Sequence, residues 1–405
     1  MKLLQINTVC GNGSTGKIAV EIQEHCKEKG ISGCILYGRE CKNASPSSVL
    51  TQNKYEFHAN ALFARLFDNE GFGAIASTKR IIKYIREYQP DIIQLHNLHG
   101  YYVNLVLLFQ FLKEYGKPVV WTLHDCWAFT GHCTHYAFYN CDKWKKECKQ
   151  CVQKKEYPKS YFFDRSRNNY FIKRDILSAM ENLTLVVPSL WMKRQVEKSF
   201  LSKFSTHVIY NGIDLALFKK RETSLRQELG LDEKIILLGV ADGFGKKKGV
   251  DSFKNIYSLL DHSRYTMILV GLNAHQIDEL PKGIIGLERT RTQNELVDLY
   301  SVADLFLNLS REESMGLVTV EALACGLPVL VNNATALPEI VEESGCGIII
   351  DYDNVEQAAQ IISREEFFNI SEENCRKYAQ EFDKGEKYQQ YYELYTALYE
   401  GVEKG

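Results

Sequence analysis

Two carboxylates eight positions apart, Glu313 and Glu321, lie in a stretch where a polar loop beginning at Ser310 gives way to a helical segment closed by Gly326. Carboxylates accept hydrogen bonds from sugar and ribose hydroxyls, and the N–H groups opening the helix at Gly316, Leu317 and Val318 can hold a diphosphate. The plainer reading is a solvated acidic loop with an exposed helical glutamate behind it. A second loop, Gly11-Asn12-Gly13-Ser14-Thr15-Gly16-Lys17, follows the first apolar run and should open a helix near Gly16. Glycines let backbone N–H groups approach an anion, and a helix start adds a favourable dipole. Gly11, Gly13 and Gly16 match the dinucleotide fingerprint, which wants an acidic residue closing the second strand; that strand ends Tyr37-Gly38-Arg39-Glu40. Gly11 and Gly16-Lys17 also have phosphate-loop spacing, yet Ile18 stands where Ser or Thr must hold magnesium, which argues against a kinase or NTPase. A tight turn without ligand is the alternative.

Four thiols, Cys133, Cys141, Cys148 and Cys151, crowd one segment and close on a Cys-x-x-Cys pair. Short loops can bring four soft ligands to about 2.3 Å from one zinc ion. One structural zinc is expected, with His132 and His135 as substitutes for a thiol and with disulfides or free thiols as the competing readings. Glu147-Cys148-Lys149-Gln150-Cys151 lacks the helix start of a redox pair. Cys126 opens the same crowded segment, and the remaining seven of the twelve cysteines, Cys10, Cys26, Cys34, Cys41, Cys325, Cys346 and Cys375, sit in apolar or helical surroundings and read as small buried hydrophobes. Between Lys143 and Arg174 eleven Lys and Arg face three acids, a local balance of +8, with Trp144, Tyr161, Phe162, Phe163, Tyr170 and Phe171 interleaved. Such a segment could rest on an anionic membrane surface; a solvated face over core aromatics is the equal alternative.

The elements that must carry these residues are short, continuous apolar runs alternating with amphipathic segments. Residues 3–9, 33–37, 91–95, 119–123, 183–187 and 208–210 form one series, and 235–240, 266–270, 283–287, 305–309, 328–331 and 347–350 form another. Continuous rather than alternating runs mean strands covered on both faces, so two doubly wound α/β domains with parallel sheets are expected. The join should fall near residues 208–214. Tyr388, Tyr391, Tyr392, Tyr395, Leu398 and Tyr399 make a helical apolar stripe, expected to pack on the core.

With these pieces in order, the sequence resembles the retaining, nucleotide-sugar-dependent glycosyltransferases of family 4. The resemblance rests on the N-terminal glycine loop, Thr122-Leu123-His124-Asp125, Val187-Pro188-Ser189, the 208–214 segment, Lys248-Gly249, the paired-glutamate helix and Pro338-Glu339-Ile340-Val341. It implies the GT-B fold, two Rossmann-like domains facing each other across a cleft. The acceptor-side domain would be residues 1–207 with a cysteine-rich insert at about 126–165, the donor domain 208–384, and residues 385–405 a helix packing back across the domains. It also implies roles. Glu313 would contact the donor sugar, Glu321 the ribose, and Lys248 the diphosphate, with Gly13 and Gly16 bringing the first loop against it. His124 would touch the sugar near its reacting carbon, a satisfied core histidine being the alternative. No catalytic metal is expected, and Asp351-Tyr352-Asp353 is read as a loop. The family usually has an Arg five residues before Lys248, where this chain has Gly243; Lys246 or Lys247 could substitute. A similar cysteine-rich insert occurs in some capsule and exopolysaccharide members.

The chain has 405 residues, 45% hydrophobic and 25% charged, with a net charge of −2, so no global field favours nucleic acid and none is expected as a partner. No apolar run approaches the roughly 18 residues of a membrane span, and the first residues lack a signal-peptide pattern, so a cytoplasmic protein is expected, with any contact to the inner membrane face peripheral. These readings converge on a hexosyl transferase acting on a glycan or lipid-linked acceptor in cell-surface polysaccharide biosynthesis. The alternatives are a nucleotide-sugar epimerase of the same fold and a catalytically idle sugar-binding protein.

Overall fold

Among the described residues thirteen strands pair in parallel to form two sheets, one in each of two units. The structure, a computed structural model, describes residues 1–42, 47–342 and 344–403. The first unit comprises Met1–Tyr210 and Gly385–Gly405, the second Asn211–Lys384.

In the first unit the strands are β1 (Lys2–Asn7), β2 (Ser32–Tyr37), β3 (Ser48–Leu50), β4 (Ile92–Leu95), β5 (Val119–Thr122), β6 (Leu183–Val187) and β7 (Thr206–Val208), in the order β3-β2-β1-β4-β5-β6-β7. Successive residues of the central strands enter opposite apolar layers. Leu4, Ile93 and Val119 join one cluster, while Leu3, Ile92 and Val120 join another with Ile18 and Ile22 of the first helix. A period-two strand buried on both faces gives this unbroken apolar run. The second layer is completed by Tyr388, Tyr391 and Tyr395 of the terminal helix Lys384–Glu403. Their hydroxyls are satisfied too: Tyr395 donates to Gln94 Oε1 at 2.9 Å, and Tyr391 lies 3.1 Å from Thr122 Oγ1.

In the second unit β8 (Ile235–Val240), β9 (Tyr265–Val270), β10 (Ile284–Leu287), β11 (Leu305–Asn308), β12 (Val329–Asn332) and β13 (Gly347–Ile350) take the order β10-β9-β8-β11-β12-β13. The ends of this chain segment are clasped together: Ile213 N–H donates to Phe382 O at 2.8 Å and Lys384 N–H to Ile213 O at 3.0 Å.

Two details differ from expectation. β3 was not anticipated, because a three-residue, partly exposed edge strand has no apolar run to betray it. The last strand of the first sheet is residues 206–208, two positions earlier than the apolar run 208–210, since Thr206 and His207 carry the pairing to β6 and Ile209 turns into the core.

Candidate functional site

Strand order reverses between β1 and β4 in the first unit and between β8 and β11 in the second. Loops leaving the carboxyl ends of two such strands diverge to opposite faces, and the crevice between them is where open parallel sheets bind ligands. The sequence-derived residues fall on these loops or on the neighbouring one.

In the second unit the loop after β8 carries Lys248 and Gly249, and the loop after β11 carries Glu313. Lys248 Nζ is ion-paired to Glu313. Gly249 has φ +72°, and a Cβ there would meet Leu309 O at 2.5 Å, so only glycine lets the β8 loop press against the end of β11 and hold Lys248 in place. Glu313 N–H donates to Thr335 Oγ1 at 2.8 Å, tying its backbone to the loop after β12. Gly316 is the N-cap of the helix Leu317–Ala324, whose first turn contains no acidic residue. Its opening N–H groups lack partners within the helix and suit an anion. Glu321, one turn further along, accepts from Tyr300 Oη at 3.1 Å. The sequence-assigned donor residues of this unit therefore lie on two loops and one helix start around a single strand reversal.

Gly243 has φ +90° with nothing near its would-be Cβ, so the position is open but left-handed, a backbone state that disfavours an arginine. Lys247 is held by buried Glu312 at 2.9 Å, and Lys246 is exposed. Asp351-Tyr352-Asp353 follows β13 as a turn in which Asp353 pairs with Arg311 at 2.7 Å.

In the first unit the glycine loop turns directly into the helix Gly13–Glu28, three residues earlier than the sequence suggested. Gly13 has φ +61° in open space, and a Cβ on Gly16 would come within 3.1 Å of Gly11 N and Val9. His124 follows β5 and is nearly buried. Its Nε2 lies 3.0 Å from Nδ1 of His96, whose own Nε2 lies 2.9 Å from Gln5 Oε1. Gln5 donates its amide to Ala19 O at 2.8 Å, which fixes Oε1 as the acceptor. The proton on His96 is then on Nε2, His124 donates from Nε2, and its Nδ1 keeps a lone pair that can accept from a hydroxyl. Burial holds His124 down to about 4 despite the opposing pull of Asp125, so the ring is neutral at pH 7.

Sequence reasoning missed the companions of His124. His96 and His99 stand just past the end of β4, the same strand-end signal that singled out His124. His99 Nε2 lies 2.8 Å from Asp125 Oδ2 and its Nδ1 2.8 Å from Tyr157 Oη. Burial would raise the Asp125 carboxyl, but the charge and hydrogen bond of His99 prevail and hold it at about 2. Glu70, fully enclosed, accepts from Gly100 and Tyr101 N–H at 2.6 and 3.0 Å, and burial raises its carboxyl. Lys173 donates to Trp127 O at 2.7 Å and Thr130 O at 3.1 Å, with burial lowering it to about 7.

The four thiols expected to hold zinc are all free. Cys133 is hydrogen-bonded to Cys151, Cys148 Sγ accepts from Gly131 N–H at 3.2 Å, and Cys141 packs at the edge of the core. Among the described residues no three His, Cys, Asp or Glu side chains are arranged to hold a metal ion, so the thiols as placed do not fit a tetrahedral centre. The basic segment 143–174 is likewise split: Trp144 and Tyr170 are core residues and Phe171 is half-buried, leaving Tyr161, Phe162 and Phe163 exposed.

A family model described as Glycosyltransferase Family 4 matches residues 43–217, and one described as Glycosyl transferases group 1 matches residues 221–382. A putative colanic acid biosynthesis glycosyl transferase, WcaC of Escherichia coli (strain K12), is 24% identical over 99% of this chain and 100% of its own. Sucrose-phosphate synthase from Thermosynechococcus elongatus superposes with TM-score 0.69 at 16% identity over 99% of each chain. Anabaena HepE in complex with UDP does so with TM-score 0.67 at 17% identity, over 98% of this chain and 100% of its own. Both sheets, their reversals and the motif order thus agree with the two adjoining family models: the protein joins a Glycosyltransferase Family 4 domain, residues 43–217, to a Glycosyl transferases group 1 domain, residues 221–382, and has the GT-B fold.

Proposed function

We propose that the protein is a retaining hexosyltransferase that moves a sugar from a nucleotide-sugar donor to a glycan or lipid-linked acceptor in cell-surface polysaccharide assembly. The observation that carries this reading is the grouping of Lys248, Glu313, the Gly316 helix start and Glu321 around the β8/β11 reversal. Lys248 and the helix N–H groups neutralise a diphosphate whose charge grows as it departs, Glu321 holds the ribose, and Glu313 orients the sugar hydroxyls. HepE, of like fold, has been solved with UDP, which supports a uridine nucleotide as the donor's carrier. The name of WcaC supports an exopolysaccharide setting.

Glycosidases flank the scissile bond with two carboxylates. Here both glutamates belong to the donor side, which favours front-face transfer. The bond from the anomeric carbon to the phosphate oxygen breaks with its electron pair going to the diphosphate, the acceptor oxygen bonds to the same face, and the acceptor proton passes to the departing phosphate oxygen. His124, neutral with a free Nδ1 lone pair, accepts from a sugar hydroxyl near the reacting carbon.

A thermal-shift screen of nucleotide-sugars tests the donor assignment, because a ligand at a hundredfold excess over its Kd stabilises the folded state by about 2.7 kcal/mol. Stabilisation by UDP and by at least one UDP-sugar is expected. A set of nucleotides and nucleotide-sugars that all leave the melting temperature unchanged would refute it. Interconversion of the donor sugar without acceptor would instead identify an epimerase.

A further inference from the structure

In the first unit the helix Lys54–Phe67 buries Ala61 and Ala64 against Tyr101 yet is apolar on its outer face as well. Tyr55, Ala59, Leu62 and Phe63, at i, i+4, i+7 and i+8, point outward, with Tyr55 86% and Leu62 57% exposed. Soluble helices turn such a stripe to the core, and contiguous apolar surface left outside marks an interaction site. The patch extends beyond the helix. Phe63 packs on Phe67 at 4.8 Å between ring centroids, and Phe67 stacks on Phe163 at 5.7 Å. Phe162, next in the same loop, is 69% exposed.

The loop is fixed to the helix end. Tyr161 N–H donates to Arg65 O at 2.7 Å, Arg165 N–H to Asp68 Oδ2 at 2.6 Å, and Asn169 Nδ2 to Asp68 O at 2.8 Å. Two segments a hundred residues apart in sequence therefore present one preassembled aromatic surface. Its surroundings are basic: Lys54, Arg65, Lys155, Lys159 and Arg165 are all exposed. The chain as a whole is at −2, so this cationic rim is a local feature. Aromatic side chains ringed by Lys and Arg are complementary to an anionic bilayer, where rings enter the acyl boundary and cations meet headgroups.

We propose that the outward face of the helix Lys54–Phe67, joined to Tyr161, Phe162 and Phe163, is a membrane-docking surface that seats the first unit on anionic lipid. The inference goes beyond the proposed reaction and does not depend on it.

The test is vesicle flotation of the full chain with phosphatidylcholine alone and with phosphatidylglycerol added. Wild type should float with the anionic vesicles, release as salt rises, and ignore the neutral ones. The double variants Phe162→Ser/Phe163→Ser and Leu62→Ser/Phe63→Ser should each lose about tenfold or more of the apparent affinity. These side chains are exposed, so folding should be kept; should either variant unfold, Lys155→Glu/Lys159→Glu carries the test, with the same expected loss. No flotation, equal flotation with neutral lipid, or unchanged affinity in the folded variants would overturn the proposal. So would concentration-dependent self-association of wild type abolished by Phe162→Ser/Phe163→Ser, which would assign the face to a second copy of the chain.

Discussion

At the scale of single residues, the account assigns different work to the two glutamates. Under the proposed function Glu321 holds the nucleotide and Glu313 the sugar. Glu321→Ala should weaken UDP binding by about one to two orders of magnitude, the usual effect of losing a hydrogen bond to a charged group. Glu313→Ala should leave UDP affinity near wild type and lower turnover. Calorimetric titration with UDP separates the two, and wild-type affinity in Glu321→Ala would remove it from the site. His124 makes a different claim, through pH. A histidine buried neutral has a folded pKa below its unfolded value near 6.5, so the unfolded chain binds more protons as pH falls and stability is lost between about 6.5 and 4. At about 1.4 kcal/mol per unit this is about 3 kcal/mol at most. His132 has the opposite sign, since burial, which lowers it, is outweighed by the hydrogen bond and charge of Asp68 taken together with the charges of Cys151 and Asp164. The comparison is therefore made against His124→Gln, whose melting temperature should fall less than that of wild type between pH 7 and pH 5. Equal falls would mean that His124 is not held neutral by the fold.

At the scale of elements, the terminal helix shows what could be read from sequence and what could not. Its tyrosine stripe predicted a packed helix, and Tyr388, Tyr391 and Tyr395 are buried against β1, β4, β5 and β6. What the stripe could not reveal is that Tyr395 and Tyr391 satisfy Gln94 and Thr122, polar residues inside otherwise apolar strands. Long-range pairings of this kind leave no local pattern. Tyr395→Ala should cost about 3–5 kcal/mol by cavity formation together with the lost hydrogen bond. Denaturant unfolding measures it, and a cost below about 1 kcal/mol would mean the helix is not integral to that core. The same limit explains the sites. The strand ends and glycine turns were legible because period, run length and backbone demand are local properties. Pairing of Lys248 with Glu313, or of His99 with Asp125, depends on which strands become neighbours. The cysteine segment is subject to the same limit: thiol spacing in sequence says little about direction where 3-10 turns and loops carry the side chains.

At the scale of the whole molecule, each of two doubly wound sheets carries its candidate residues on loops leaving the strands where the order reverses or, for His124, the neighbouring strand β5. Among the described residues no helix is long and apolar enough to cross a membrane. Both sheets were foreseeable because continuous apolar runs separated by amphipathic segments allow few other architectures, whereas the orders β3-β2-β1-β4 and β10-β9-β8-β11 emerge only from pairing. The central claim, glycosyl transfer from a nucleotide-sugar by the Lys248, Glu313 and Glu321 grouping, is tested most directly by release of UDP from a panel of UDP-sugars offered with lipid-linked saccharide acceptors. The account predicts acceptor-dependent release from at least one donor, abolished in Glu313→Ala. Release that persists unchanged in that variant, or none from any donor that the protein demonstrably binds, would contradict it.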